Sequence, residues 1–143
     1  MTAHQRGILD TNTVLLLPRI TDATALPTEP FITAITLAEL SVGPLVATND
    51  SERAARQAHL QQAEADFEAL AFDADAARAF GQVAANLRQS GRKVSARAYH
   101  ALIAATALAN DMTLHTVNPD DFIGIEGLDV IAVPHPDTKQ PTT

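Results

Sequence analysis

Hydrophobic positions recur along this chain in two rhythms. Short apolar stretches bounded by turn residues predict buried strands, and longer stretches with apolar residues at helical spacing predict helices. Residues 7–10, 31–35, 112–116 and 128–133 belong to the first kind. The first of them ends on an acid, Asp10. Residues 14–17 predict a short helix that Pro18 stops. The stretch 21–30 holds Pro27, Pro30 and several small polar residues, and predicts a loop.

Three longer segments carry the helical rhythm. From Ser51 to Leu70 the apolar positions Leu60, Ala63, Phe67 and Leu70 face one way and a Gln- and Glu-rich set faces the other. From Asp73 to Gln89 the stripe is Ala76, Phe80, Val83 and Leu87, and Ser90-Gly91 ends it. From Ser95 to Asn110 the predicted helix is apolar almost all round between Ala101 and Ala109, which places it in the core. A further helix opens at Thr36. Thr36 as N-cap with Glu39 three residues on matches a capping box.

Strands alternating with helices predict an α/β domain: a short parallel sheet of about four to five strands, with helices on both faces. The 143 residues fit one domain, spanning 1–133, with a Pro-rich tail over 134–143 that reads as disordered. There is no cysteine, which excludes disulfides, thiolate metal sites and a cysteine nucleophile. No stretch reaches the roughly 18 consecutive apolar residues of a membrane span, and the first seven residues lack the apolar run of a signal peptide. A soluble, cytoplasmic protein is expected.

The formal net charge of −7 argues against a broad basic nucleic-acid face. Yet four of the ten Lys and Arg residues cluster between Arg88 and Arg97: Arg88, Arg92, Lys93 and Arg97. A solvated helix end is one reading of such a cluster. A phosphate grip is the other.

Ligands of open parallel sheets sit beyond the carboxyl ends of the strands. Three carboxylates stand at such positions. Asp10 closes the first strand, Glu39 lies in the first turn after the second, and Asp121 shares a loop with Asn118 beyond the strand that ends at Thr116. Gathered in one crevice, they would repel by about 4 kcal/mol per pair at ~4 Å and an effective dielectric of 20. A divalent cation removes that penalty, and oxygen ligands favour magnesium or manganese. Such an ion polarises a phosphoryl oxygen and lowers the pKa of bound water, which is phosphodiester hydrolysis chemistry. Each acid also has a purely structural alternative. Asp10 and Asp121 could cap helical turns, and Glu39 could serve only its capping box.

Local strings add to this reading. Ile8-Leu-Asp-Thr-Asn-Thr-Val14 resembles the opening motif of PIN-domain proteins. Thr36-Leu-Ala-Glu-Leu40, followed by Gly43, resembles their second motif, and the buried Ala101-Leu-Ile-Ala-Ala-Thr-Ala-Leu-Ala109 resembles their third. Leu114-His-Thr-Val-Asn-Pro-Asp-Asp-Phe122 resembles their fourth. Order, spacing and length are similar to those of the VapC-like toxins over about residues 6–133.

The resemblance implies a homodimeric endoribonuclease that uses magnesium or manganese, acts on RNA and is blocked by a VapB-like antitoxin. It implies that Asp10, Glu39 and Asp121 are the site acids, with Asn118 as a further polar ligand and Thr11 and Thr116 as supporting hydroxyls. One position departs from the pattern. The family's third acid, an Asp, precedes the Ala101 string, and here that position is His100. An imidazole in its place removes a negative charge, so His100 is a nitrogen ligand that shifts preference toward manganese, or else a neutral, hydrogen-bonded residue or an inactivating change. Arg92, Lys93 and Arg97 are the candidates for holding the RNA backbone. His115 is expected to point outward from its strand, away from the site. His4, His59 and His135 show no ligand spacing among themselves.

The alternative to a nuclease is a PIN-like module that acts by binding RNA or the antitoxin. A nucleotide-binding or small-molecule phosphatase reading lacks support, because no Gly-rich phosphate loop is present among the six glycines.

Overall fold

The computed structural model describes residues 6–94 and 97–137. In chain order the elements are β1 (Arg6–Leu9), α1 (Thr11–Leu16), β2 (Glu29–Thr33), α2 (Ala34–Leu45), α3 (Asp50–Asp66), β3 (Glu68–Leu70), α4 (Ala74–Gln89), α5 (Ala98–Ala109), β4 (Thr113–Thr116) and β5 (Val130–Ala132). Short 3-10 turns occupy Leu17–Arg19, Ala23–Ala25 and Pro119–Phe122. The five strands form one parallel sheet in the order β3-β2-β1-β4-β5. The chain therefore builds outward from β1 in one direction, then returns to build outward in the other. The topological switch lies between β1 and β4.

Side-chain alternation splits the core in two. Ile8, Phe31 and Leu114 are paired across the sheet and point to one face, where Val83 and Leu87 of α4 and Ile103, Ala104 and Ala107 of α5 cover them. Ile32 points to the other face, where Leu40 of α2 and Ala63 of α3 pack on it. α5 is buried along most of its length, as its all-round apolar sequence predicts. No helix among the described residues is long and apolar enough to cross a membrane.

The structure departs from the sequence-based expectations in several places. The helix expected over 51–70 ends at Asp66. Phe67 is extended, and Glu68–Leu70 become the edge strand β3 on β2. Phe67 and Leu70 remain inward-facing, so the apolar spacing did not separate helix from strand. Thr33, rather than Thr36, caps α2, and its hydroxyl accepts from the Thr36 N–H. The strand expected over 31–35 thus stops two residues earlier, and the capping box disappears. Pro18 does not end the first helical segment but sits in the 3-10 turn that continues it. Pro30 lies in β2, near its start, where a missing N–H is tolerated. His115 is buried rather than outward-facing. Its Nδ1 lies 2.7 Å from the Ala25 carbonyl, which can only accept, so Nδ1 carries a proton, and its Nε2 lies 2.9 Å from the Thr113 hydroxyl. Within the segment expected to be disordered, Asp137 pairs with Arg19, while residues 138–143 lie outside the described residues, as do His4 and the start of the helix expected from Ser95.

Candidate active site at the switch between the two central strands

Asp10 follows β1 directly, and Thr116 ends β4, its neighbour. The Thr116 hydroxyl donates to Asp10 Oδ2 at 2.8 Å, across 106 positions of the chain. Thr13 donates to Oδ1 through both its hydroxyl and its N–H, the latter at 3.3 Å, so Asp10 is also the N-cap of α1. The hydroxyls themselves are held from behind. Thr13 Oγ1 accepts from the Val117 N–H at 3.1 Å, and Thr116 Oγ1 accepts from the Asn118 N–H at 2.9 Å. Asp10 and both threonines are buried. Burial pushes the Asp10 carboxyl above its ordinary value, while bonds from Thr13 and Thr116, and the charge of a protonated His100, pull the other way.

Glu39 reaches the same end of the sheet from α2. Thr11 Oγ1 donates to Glu39 Oε1 at 2.6 Å, and Thr36 Oγ1 lies 3.0 Å from Thr11 Oγ1. With the Thr11 proton committed to the carboxylate, Thr36 is the donor to Thr11. The shift of the cap to Thr33 makes this possible, since Glu39 is not turned back on its own helix. Beside Glu39 runs a groove of about 470 Å³ lined by Thr11, Asn12, Leu15, Arg56 and His59.

Asp121 stands in the Pro119–Phe122 turn. Its Oδ2 lies 3.6 Å from His100 Nε2, and its Oδ1 lies 3.6 Å from an Arg97 guanidinium nitrogen. His100 meets Phe122 edge-on at 5.3 Å, and its Nδ1 is buried without a hydrogen-bond partner. Arg92 donates to the Asp120 carbonyl at 3.2 Å, and Lys93 lines a cavity with it. Asn118 is the residue just before the turn, and it makes no side-chain cap bond there.

The acids expected from the sequence thus stand in three small groups: Asp10 with Thr13 and Thr116, Glu39 with Thr11 and Thr36, and Asp121 with His100 and Arg97. Among the described residues, no three His, Asp or Glu side chains come close enough to enclose one ion. In kind, the donors suit a hard divalent cation, being mostly carboxylate and amide oxygens. Asp10 adds a specific reason. It is a desolvated carboxylate with no Lys or Arg in ion-pair contact among the described residues, held only by hydroxyl and amide dipoles. Sequence reading missed Thr13 and Thr36. Thr13 was legible in principle, since a Thr three positions after a capping Asp is well placed to bond it.

The PIN domain family model matches residues 8–127. The chain belongs to the PIN-domain family. Ribonuclease VapC5 of Mycobacterium tuberculosis is 37% identical to this PIN domain over 128 residues, covering 88% of this chain and 92% of that protein. Ribonuclease VapC1 of Rickettsia felis is 27% identical over 129 residues, covering 88% and 95%. Among solved structures, a member of the VapBC family of toxin–antitoxin systems, VapBC-5 from Mycobacterium tuberculosis, superposes with a TM-score of 0.77 at 36% identity, covering 90% of this chain and 99% of that one. The fold and the VapC-like resemblance expected from the sequence are thereby established for this PIN domain.

Proposed function

We propose that the protein is a divalent-metal-dependent endoribonuclease, the toxin of a toxin–antitoxin pair, acting in the cytoplasm as a homodimer and silenced by a VapB-like antitoxin. The observation that carries the reading is the Asp10–Thr116 contact. It fixes a buried carboxylate at the crevice between β1 and β4, where a parallel sheet binds its ligand. The relatives named above are ribonucleases and a member of a family of toxin–antitoxin systems, which supports both the chemistry and the partner.

Magnesium or manganese would draw its ligands from Asp10, Glu39 and Asp121, with Asn118 and His100, brought closer together than they stand here, and would supply Lewis acidity toward a phosphoryl oxygen of RNA. The protein's own part is positioning. Thr13 donates twice to Asp10 Oδ1 and Thr116 once to Oδ2, and these bonds set the plane of the carboxylate. Thr11 does the same for Glu39. Arg97, whose guanidinium lies 3.6 Å from Asp121, would hold a backbone phosphate beside the site.

A cleavage assay on RNA with manganese, comparing the parent with Asp10→Asn, tests this. Metal-dependent cleavage that the variant loses is the expected result. His100 favours a second reading, a PIN-like module that binds RNA or antitoxin without cutting. No cleavage by the parent with either magnesium or manganese, alongside retained binding, would establish that reading instead.

A further inference from the structure

Most described Lys and Arg side chains are neutralised in place. Arg19, Arg53, Arg56 and Arg78 each contact a carboxylate, Arg97 faces Asp121, and Arg6 lies over the Phe31 ring. Arg88, Arg92 and Lys93 differ. None of the three has a carboxylate within ion-pair distance among the described residues, and together with Ala84, Gly91 and Val94 they line an open cavity of about 640 Å³. An unneutralised basic cavity on a chain of net charge −7 is a local exception.

Its simplest explanation would be that the cations satisfy the carboxyl end of α4. The backbone already does that. The Gly91 N–H reaches the Arg88 carbonyl at 3.1 Å, and the positive φ of Gly91, +78, brings the Arg92 N–H to the Leu87 carbonyl at 2.8 Å. Ser90 Oγ adds a bond to the same Leu87 carbonyl. The side chains of Arg88 and Lys93 are exposed and are not needed there. Arg92 instead donates to the carbonyl of Asp120, the residue next to Asp121. The cavity therefore begins one residue from the candidate site.

Resting on the ribonuclease reading, we infer that this cavity is a phosphate subsite for the RNA strand flanking the scissile bond, with Arg88 and Lys93 as its free cations and Arg92 tying it to the Asp121 turn. Affinity for RNA then depends on strand running past the cut, toward the end of α4. Phosphate contacts of this kind position a strand without reading its sequence.

The test is binding of a fluorescent single-stranded RNA to the full chain over a series of potassium chloride concentrations, with EDTA keeping the strand intact. Arg88→Gln and Lys93→Gln are compared with Arg78→Gln, an exposed arginine elsewhere on α4 that is paired with Asp75. The first two should each weaken binding roughly fivefold and lower the salt slope by about 0.7, the value per single-strand phosphate contact. Arg78→Gln should match the parent. Parental affinity and slope in both Arg88→Gln and Lys93→Gln overturn the subsite. So does a loss confined to binding of the antitoxin, which would assign the cavity to a protein. Cleavage with manganese, measured on the same preparations, separates the two levels: a parent that neither cuts nor binds RNA overturns the ribonuclease reading as well, whereas a parent that does both beside unchanged variants overturns this inference alone.

Discussion

Thr11 Oγ1 holds Glu39 Oε1 at 2.6 Å, joining the first turn of α1 to the second turn of α2. Because Thr11 follows Asp10 directly, the same bond sets Glu39 relative to the carboxylate at the centre of the crevice. Thr11→Val keeps the shape and removes the hydroxyl. Cleavage of RNA should fall about ten- to a hundredfold, since small displacements of a site group cost that much. Stability should change by only about 1 kcal/mol, the net worth of one hydrogen bond. Equal turnover in the variant and the parent would remove Thr11 from the machinery.

Asp10 predicts a pH effect with a definite sign. Its folded carboxyl titrates above its ordinary value of 3.8 because it is buried. From that pH up to the raised value, the folded chain keeps a proton that the unfolded chain has released, so stability falls as pH rises through the window. Asp10→Asn removes the titration. The variant should melt higher than the parent at neutral pH, with the difference shrinking below pH 3.8, while cleavage is lost. Melting curves across pH check it; a variant less stable than the parent at neutral pH would contradict the account.

By the motif resemblance alone, His100 takes the place of an acid in the proposed metal set. Restoring the carboxylate in His100→Asp should tighten magnesium binding, seen as a larger rise in melting temperature at a given magnesium concentration and a lower magnesium midpoint for cleavage. Manganese should show the smaller change of the two. Identical magnesium midpoints would mean that His100 is outside the ion's reach.

Away from the site, Gly7 is held to glycine by a neighbour. A Cβ there would stand 2.5 Å from His115 Nε2 and 2.6 Å from its Cδ2. The ring cannot swing aside without breaking its bonds to the Ala25 carbonyl and the Thr113 hydroxyl. Gly7→Ala should therefore destabilise the fold by about 2–3 kcal/mol. In a His115→Ala background the same change should cost much less, because the obstacle is gone. Additive effects in a denaturant-melt double-mutant cycle would show that the clash is not the cause.

The parallel sheet, the buried α5 and the end of α4 at Ser90-Gly91 were legible in the sequence because each combines a strong pattern with a terminating signal. β3 was not, because Phe67 and Leu70 continue the helical spacing of α3 by coincidence and only pairing with β2 decides otherwise. The cap of α2 was misplaced by three residues, since Thr33 and Thr36 are chemically equivalent candidates and a capping box fitted one of them. Asp10, Glu39 and Asp121 were findable as acids following strands. Their hydroxyl supports were not singled out as such: Thr13 is a local neighbour of Asp10 that was overlooked, whereas Thr36 acquires its role from Thr11, a partner brought near by folding. The buried position of His115 had the same origin: alternation gives the face of a strand, but not what covers that face.

The bond between Thr116 and Asp10 also has a bearing on when the protein becomes dangerous to the cell that makes it. The chain emerges from the ribosome with its amino end first, and a product cut short between α2 and β4 contains Asp10 and Glu39 but neither Thr116 nor the Asn118–Asp121 loop. On the nuclease reading, an abandoned or prematurely terminated translation product is harmless. The hazard arrives only once β4 and the loop after it have been made, which gives an inhibitor made alongside it time to be present.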